Sequence, residues 1–148
     1  MKYIDIVTYN LQHNLCPFCW MTKEFIVEQS KYFYVIWARA PYTEDHLLII
    51  PNRHVVLFNS LSREEVQDLM SLVARWDSFL HKKYSDVALL LRDGFTWWKW
   101  GKSVDHMHFH LIPDMEIWSM WSSWWVNRKY LTEKEVIQRV KAIKKLTK

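Results

Sequence analysis

Three histidines at alternate positions, His106, His108 and His110, are separated by Met107 and Phe109 in the run HMHFHLI. Side chains alternate across an extended strand, so the three imidazoles share one face while Met107, Phe109 and Leu111 share the other. On a helix, residues two apart do not face each other, and the rings would scatter. A solvent-facing row of imidazoles has three readings: polar-face histidines of an ordinary strand, a three-histidine metal centre, or nucleophilic catalysis through a ring nitrogen that is unprotonated near neutral pH. Cys16 and Cys19, in CPFC, add a second reactive group. A Cys-x-x-Cys pair can be a redox couple, two unremarkable thiols or half of a tetrahedral metal site. The redox reading lacks the βαβ setting such couples use, and a metal would need two further ligands.

The secondary structure that places these groups can be read from the surrounding sequence. Glu24 to Ala38, EFIVEQSKYFYVIWA, reads as two short strands about a turn at Gln29, Ser30 and Lys31. HLLIIP, from His46 to Pro51, is a buried strand closed by proline, and VALLLR (Val87 to Arg92) and HMHFHLI are two more. Between them Val66, Leu69, Met70, Val73 and Leu80 recur at helical spacing behind a capping box of Ser62 and Glu65. A second capping box, Thr132 with Glu135, starts a helix over residues 132–147 that carries Val136, Val140 and Ile143 on one face and lysines at its end. The order predicts an α+β fold: an antiparallel sheet of about five strands with two main helices.

The chain of 148 residues has the size of one domain, 1–148, with residues 115–131 expected as a flexible loop. Its formal charge of +4 is concentrated in VKAIKKLTK rather than in a stripe with exposed aromatics. That disfavours nucleic acid as a partner and mildly favours small anionic ligands. The N-terminal stretch has too few consecutive apolar residues for a signal peptide, and no run approaches the roughly 18 needed to span a bilayer, so a cytoplasmic protein without a membrane partner is expected.

The run from His106 to Ile112 resembles the signature of the histidine triad (HIT) family of nucleotide hydrolases and transferases, in which three histidines alternate with apolar residues. HLLIIPNRHV, from His46 to Val55, is similar to the family's preceding strand, and CPFC to the N-terminal pair of its zinc-containing branch. The resemblance covers about residues 16 to 114. It implies a HIT-like fold that pairs into a homodimer, and a nucleotide hydrolase or nucleotidyl transferase that cleaves at the α-phosphate through a covalent nucleotidyl-histidine on His108. His110 would contact the phosphate and assist the leaving group, with His46 in the same polar network. Lys102 and Ser103 would supply donors to the phosphoryl oxygens, although Lys102 could also be solvated and Ser103 could simply form a turn. Zinc would be structural, held by Cys16, Cys19, His54 and His106. The substrate would be a nucleotide or dinucleoside polyphosphate; a module that binds nucleotides without turnover is the alternative.

The chain departs from the family in two places. Near Ala38, where many members hold a ribose hydroxyl with an acidic residue, there is no carboxylate; APYTEDHLLIIP instead resembles the branch that includes dinucleoside polyphosphate phosphorylases. Lys102 stands where a glutamine often precedes the serine, and a cation there suits a more highly charged polyphosphate.

Glycine is scarce at two residues, against a usual share of about 7%, while tryptophan occurs ten times. Trp97, Trp98 and Trp100 crowd the approach to the histidine row, where backbone must come close to phosphate, and SMWSSWWVN becomes a serine-glycine loop if tryptophan is read as glycine. Reading all ten that way would give twelve glycines, about 8% of the chain. The hypothesis is that the source decodes UGA as glycine, against the alternative of a genuine aromatic platform. Sequencing the coding DNA should show UGA at Trp97, Trp98 and Trp100, and UGG there would refute the idea. Trp76, inside a helical pattern, is the site expected to be authentic.

Overall fold

The computed structural model describes residues 3–95, 104–115 and 129–146. Its elements are α1 (Tyr3–Gln12), β1 (Ile26–Gln29), β2 (Phe33–Trp37), β3 (Leu47–Pro51), α2 (Arg63–Leu80), β4 (Val87–Arg92), β5 (His108–Pro113) and α3 (Glu133–Leu146). The five strands form one sheet of order β1-β2-β3-β5-β4, with every neighbouring pair antiparallel. This is the α+β architecture expected from the order of elements. Because α2 carries the chain from β3 to the far edge, β5 returns between them and lies inside the sheet.

Alternation gives the sheet two different faces. One presents Val35, Leu47, Ile49 and Leu111 to a core shared with α2 and α3. The other presents Tyr34, Ile36, Leu48 and Ile50, with Phe18 and Met21 packed against them. Both helices start at their expected capping boxes. Glu65 N–H donates to Ser62 Oγ at 3.2 Å and Ser62 N–H to Glu65 Oε2 at 2.8 Å; at α3 the corresponding distances are 3.3 and 2.8 Å. On α2 the buried stripe is Leu69, Leu72, Val73, Trp76 and Leu80, while Met70, expected on it, is exposed.

Helix α1 was not expected. YIDIVTYNLQ carries no capping signal, and its order follows from Val7, which is buried; short helices gain most of their stability from packing rather than propensity. The loop expected over 115–131 lies largely outside the described residues, as do seven of the tryptophans. Of the other three, Trp76 is buried and its Nε1–H donates to Glu28 Oε2 at 2.8 Å, as suits an authentic tryptophan. Trp37 is also buried, but no acceptor meets its Nε1 among the described residues, and Trp20 stands 86% exposed beside CPFC. Among the described residues no helix is long and apolar enough to cross a membrane.

Candidate functional site

The histidine row is buried, not solvent-facing: His106 is 0% exposed, His108 8%, His110 7% and His46 2%. Phe18, from CPFC, stands edge-on over His108 at 5.2 Å and over His106 at 5.8 Å between ring centroids. The strand begins at His108 rather than His106, because Met107 N–H donates to Val55 O at 2.6 Å, which engages the backbone with the segment after β3. His106 is therefore placed by the turn into β5.

The partners of the rings define their tautomers. His108 Nδ1 lies 2.8 Å from the carbonyl oxygen of His106. A carbonyl only accepts, so neutral His108 carries its proton on Nδ1 and keeps its lone pair on Nε2. The Tyr42 backbone N–H donates to His46 Nδ1 at 3.2 Å, and His46 Nε2 lies 2.9 Å from His110 Nδ1. Neutral His46 thus donates through Nε2, and neutral His110 holds its own proton on Nε2. The result is one imidazole with a lone pair and, on the same face, another with an N–H. A nucleophile beside a hydrogen-bond donor can attack an electrophilic phosphorus and stabilise the group that departs.

The third histidine belongs to a different cluster. His106 Nε2 donates to Pro51 O at 3.1 Å, so its Nδ1 presents a lone pair, at 3.3 Å from Cys16 Sγ and 3.6 Å from Cys19 Sγ. His54 Nδ1 is 3.2 Å from Cys19 Sγ, and the four ligand atoms lie within 4.8 Å of one another. A tetrahedral zinc with its usual bond lengths would set sulfur and nitrogen ligands about 3.5 Å apart, so this donor set fits the ion. Burial, then the neighbouring Cys16, pushes the Cys19 thiol up to about 11, and burial holds His106 down to about 4. Arg53 anchors the segment before His54 to α2 by a bidentate pair with Glu65, at 2.7 and 2.9 Å.

A cavity of about 110 Å³ opens over His46, His108 and His110. Its β2–β3 side is apolar, with Ile36, Ala38 and Leu48, and α1 covers it through Ile6 and Val7. No carboxylate lies among the described lining residues, in keeping with the sequence around Ala38. The structure thus brings His46, His108 and His110 together at this cavity, and Cys16, Cys19, His54 and His106 at the neighbouring cluster. Lys102 and Ser103 lie outside the described residues. Sequence reasoning missed the covering role of α1 and the presence of Arg92, whose place depends on strand pairing.

The family profile described as HIT domain matches residues 21–117. Adenosine 5'-monophosphoramidase of Saccharomyces cerevisiae is 31% identical over 102 residues, covering 66% of this chain and 61% of that protein, so the chain spans less than two thirds of its length. The diadenosine triphosphate hydrolase of Plasmodium falciparum, solved with cyclomarin A, superposes with a TM-score of 0.64 at 22% identity, covering 85% of this chain and 78% of the other. A zinc-bound histidine triad family protein from Mycobacterium smegmatis superposes with a TM-score of 0.60 at 17% identity, covering 98% and 93%.

Proposed function

Because the chain belongs to the HIT domain family, we propose that it is a nucleotide hydrolase or nucleotidyl transferase in which His108 attacks the α-phosphorus. The observation that carries this reading is the commitment of His108 Nδ1 to the His106 carbonyl, which leaves Nε2 as the attacking atom beside His110. The Nε2 lone pair forms a bond to phosphorus as the bond to the leaving group breaks, and the leaving group takes that electron pair. His110 Nε2–H donates to the departing atom, and His46 holds His110 in the tautomer that can do so. In the second step water attacks the nucleotidyl-histidine, the P–N bond breaks with its pair returning to Nε2, and the proton of water passes to solvent. Lys102 and Ser103 are assigned to the phosphoryl oxygens on the family resemblance.

Zinc, bound by Cys16, Cys19, His54 and His106, would serve as a closed structural site that ties the N-terminal knuckle to the start of β5. The matching donor geometry supports this assignment. We further propose a cytoplasmic homodimer, for which β4 offers an open sheet edge with Leu89 exposed, and α2 an exposed Met70.

A dinucleoside polyphosphate hydrolase or phosphorylase is the closest variant. The test is a panel of nucleoside phosphoramidates and dinucleoside polyphosphates, read with and without inorganic phosphate. Release of nucleoside monophosphate regardless of phosphate identifies a hydrolase; phosphate-dependent formation of nucleoside diphosphate identifies a phosphorylase. Tight binding of a nucleoside monophosphate with no multiple turnover would overturn the enzymatic reading in favour of a nucleotide-binding module.

A further inference from the structure

The cavity changes character from one side of the sheet to the other, in the order of its strands. On the β2–β3 side stand Ile36, Ala38 and Leu48; over β5 stand His108 and His110; on the β4 side stands Arg92. Arg92 is the register partner of His108 across the β4–β5 pair. Directly opposed residues of an antiparallel pair project to the same face with Cβ atoms about 5 Å apart. Leu91, its chain neighbour, packs into the opposite core, which confirms the face on which Arg92 lies. A second guanidinium, Arg39, also lines the cavity, but its Nη2 donates to the carbonyl of Leu131 at 3.3 Å and its Cζ lies over the rings of Phe25 and Tyr130, 5.2 and 4.5 Å from their centroids. Arg39 thus ties the approach to α3, whereas Arg92 is the strand partner of His108 itself.

We infer that Arg92 is a specificity-determining residue of this site, selecting substrates whose departing group is anionic. The inference rests on the proposed attack by His108. With the nucleoside against the apolar β2–β3 side and the α-phosphate over β5, the leaving group extends toward β4. A guanidinium there forms charge-assisted, bidentate hydrogen bonds to phosphate oxygens and offsets the charge that develops as the bond to phosphorus breaks. It does nothing comparable for an amine leaving group, which departs neutral or cationic. The arrangement therefore favours a phosphoanhydride chain over a phosphoramidate. No carboxylate among the described lining residues opposes such a chain.

The experiment measures affinity for two probes that differ only beyond the α-phosphate: AMP, and α,β-methylene-ADP, whose P–C–P link resists cleavage. Wild-type protein should bind the methylene compound at least about tenfold more tightly than AMP, and Arg92→Gln should reduce that ratio below about threefold. Arg92→Lys, which keeps a point charge but loses the fork, should retain an intermediate ratio. A residue with only a structural role would weaken both probes together and leave the ratio unchanged. An unchanged ratio in Arg92→Gln, or no preference in wild type, overturns the inference. Because binding is read without turnover, failure of the hydrolase reading appears separately: a His108→Ala variant that still turned over nucleotides would refute the nucleophile while the ratio for Arg92 stood.

Discussion

The His108→Ala variant should lose turnover by at least about 100-fold, and by far more if the nucleotidyl-histidine is the sole route, since it removes the proposed attacking atom outright. The side chain is 8% exposed and packed under Phe18, so alanine leaves a small cavity on this face of the sheet. His108→Asn, which keeps a polar group of similar size without a nucleophilic ring nitrogen, separates catalysis from folding. Both variants should retain the circular dichroism spectrum and nucleotide binding of the parent while steady-state turnover disappears. A loss of less than about 100-fold in either would show that another group carries the chemistry. His110→Ala should slow turnover without abolishing it, and the loss should be greatest for poor leaving groups, as expected of the ring proposed to act on the departing atom.

Metal removal should lower the stability of the domain. One zinc per chain should copurify, and Cys16→Ala, Cys19→Ala or His54→Ala should each lose it together with at least about 3 kcal/mol of stability, which lowers the melting midpoint by roughly 10 °C in a domain of this size. With its proton affinity pushed up to about 11, the free Cys19 thiol is protonated at neutral pH. Zinc uptake must displace that proton, so titrating metal into stripped protein should acidify a weakly buffered solution, and affinity should fall as pH is lowered. Metal analysis that found none in freshly purified, chelator-free protein would refute the assignment. An unchanged midpoint after verified stripping would refute the structural role.

Much of this arrangement could be read along the chain, because it is written in local patterns. The capping boxes at Ser62 and Thr132, the apolar runs of β3 and β4 and the alternation of the histidine row each depend on residues close in sequence. The parts that were not legible depend on pairing between distant segments. Arg92 looks like an ordinary strand-end cation until its register with His108 is known. The family resemblance implies a polar network of His46 and His110, 64 positions apart, but its tautomers follow from a backbone N–H at Tyr42 that no side-chain pattern encodes. Helix α1 was missed because its residues carry weak helical signals and acquire order from the surface they cover. The burial of the row was missed because alternation shows which side chains share a face but not what lies over it; here Phe18 covers it.

His106 takes part in both neighbouring sites, with its ring in the cysteine cluster and its carbonyl on His108 Nδ1. In evolutionary terms this makes them poor candidates for independent drift. A lineage that discarded the thiols would leave the ring that anchors the carbonyl held by Pro51 and its packing alone, and would loosen the restraint that keeps the neighbouring imidazole's lone pair directed outward. Such a lineage would need compensating packing around position 106 in place before the cysteines could be lost without harm, so the order in which substitutions arise would matter as much as their identity.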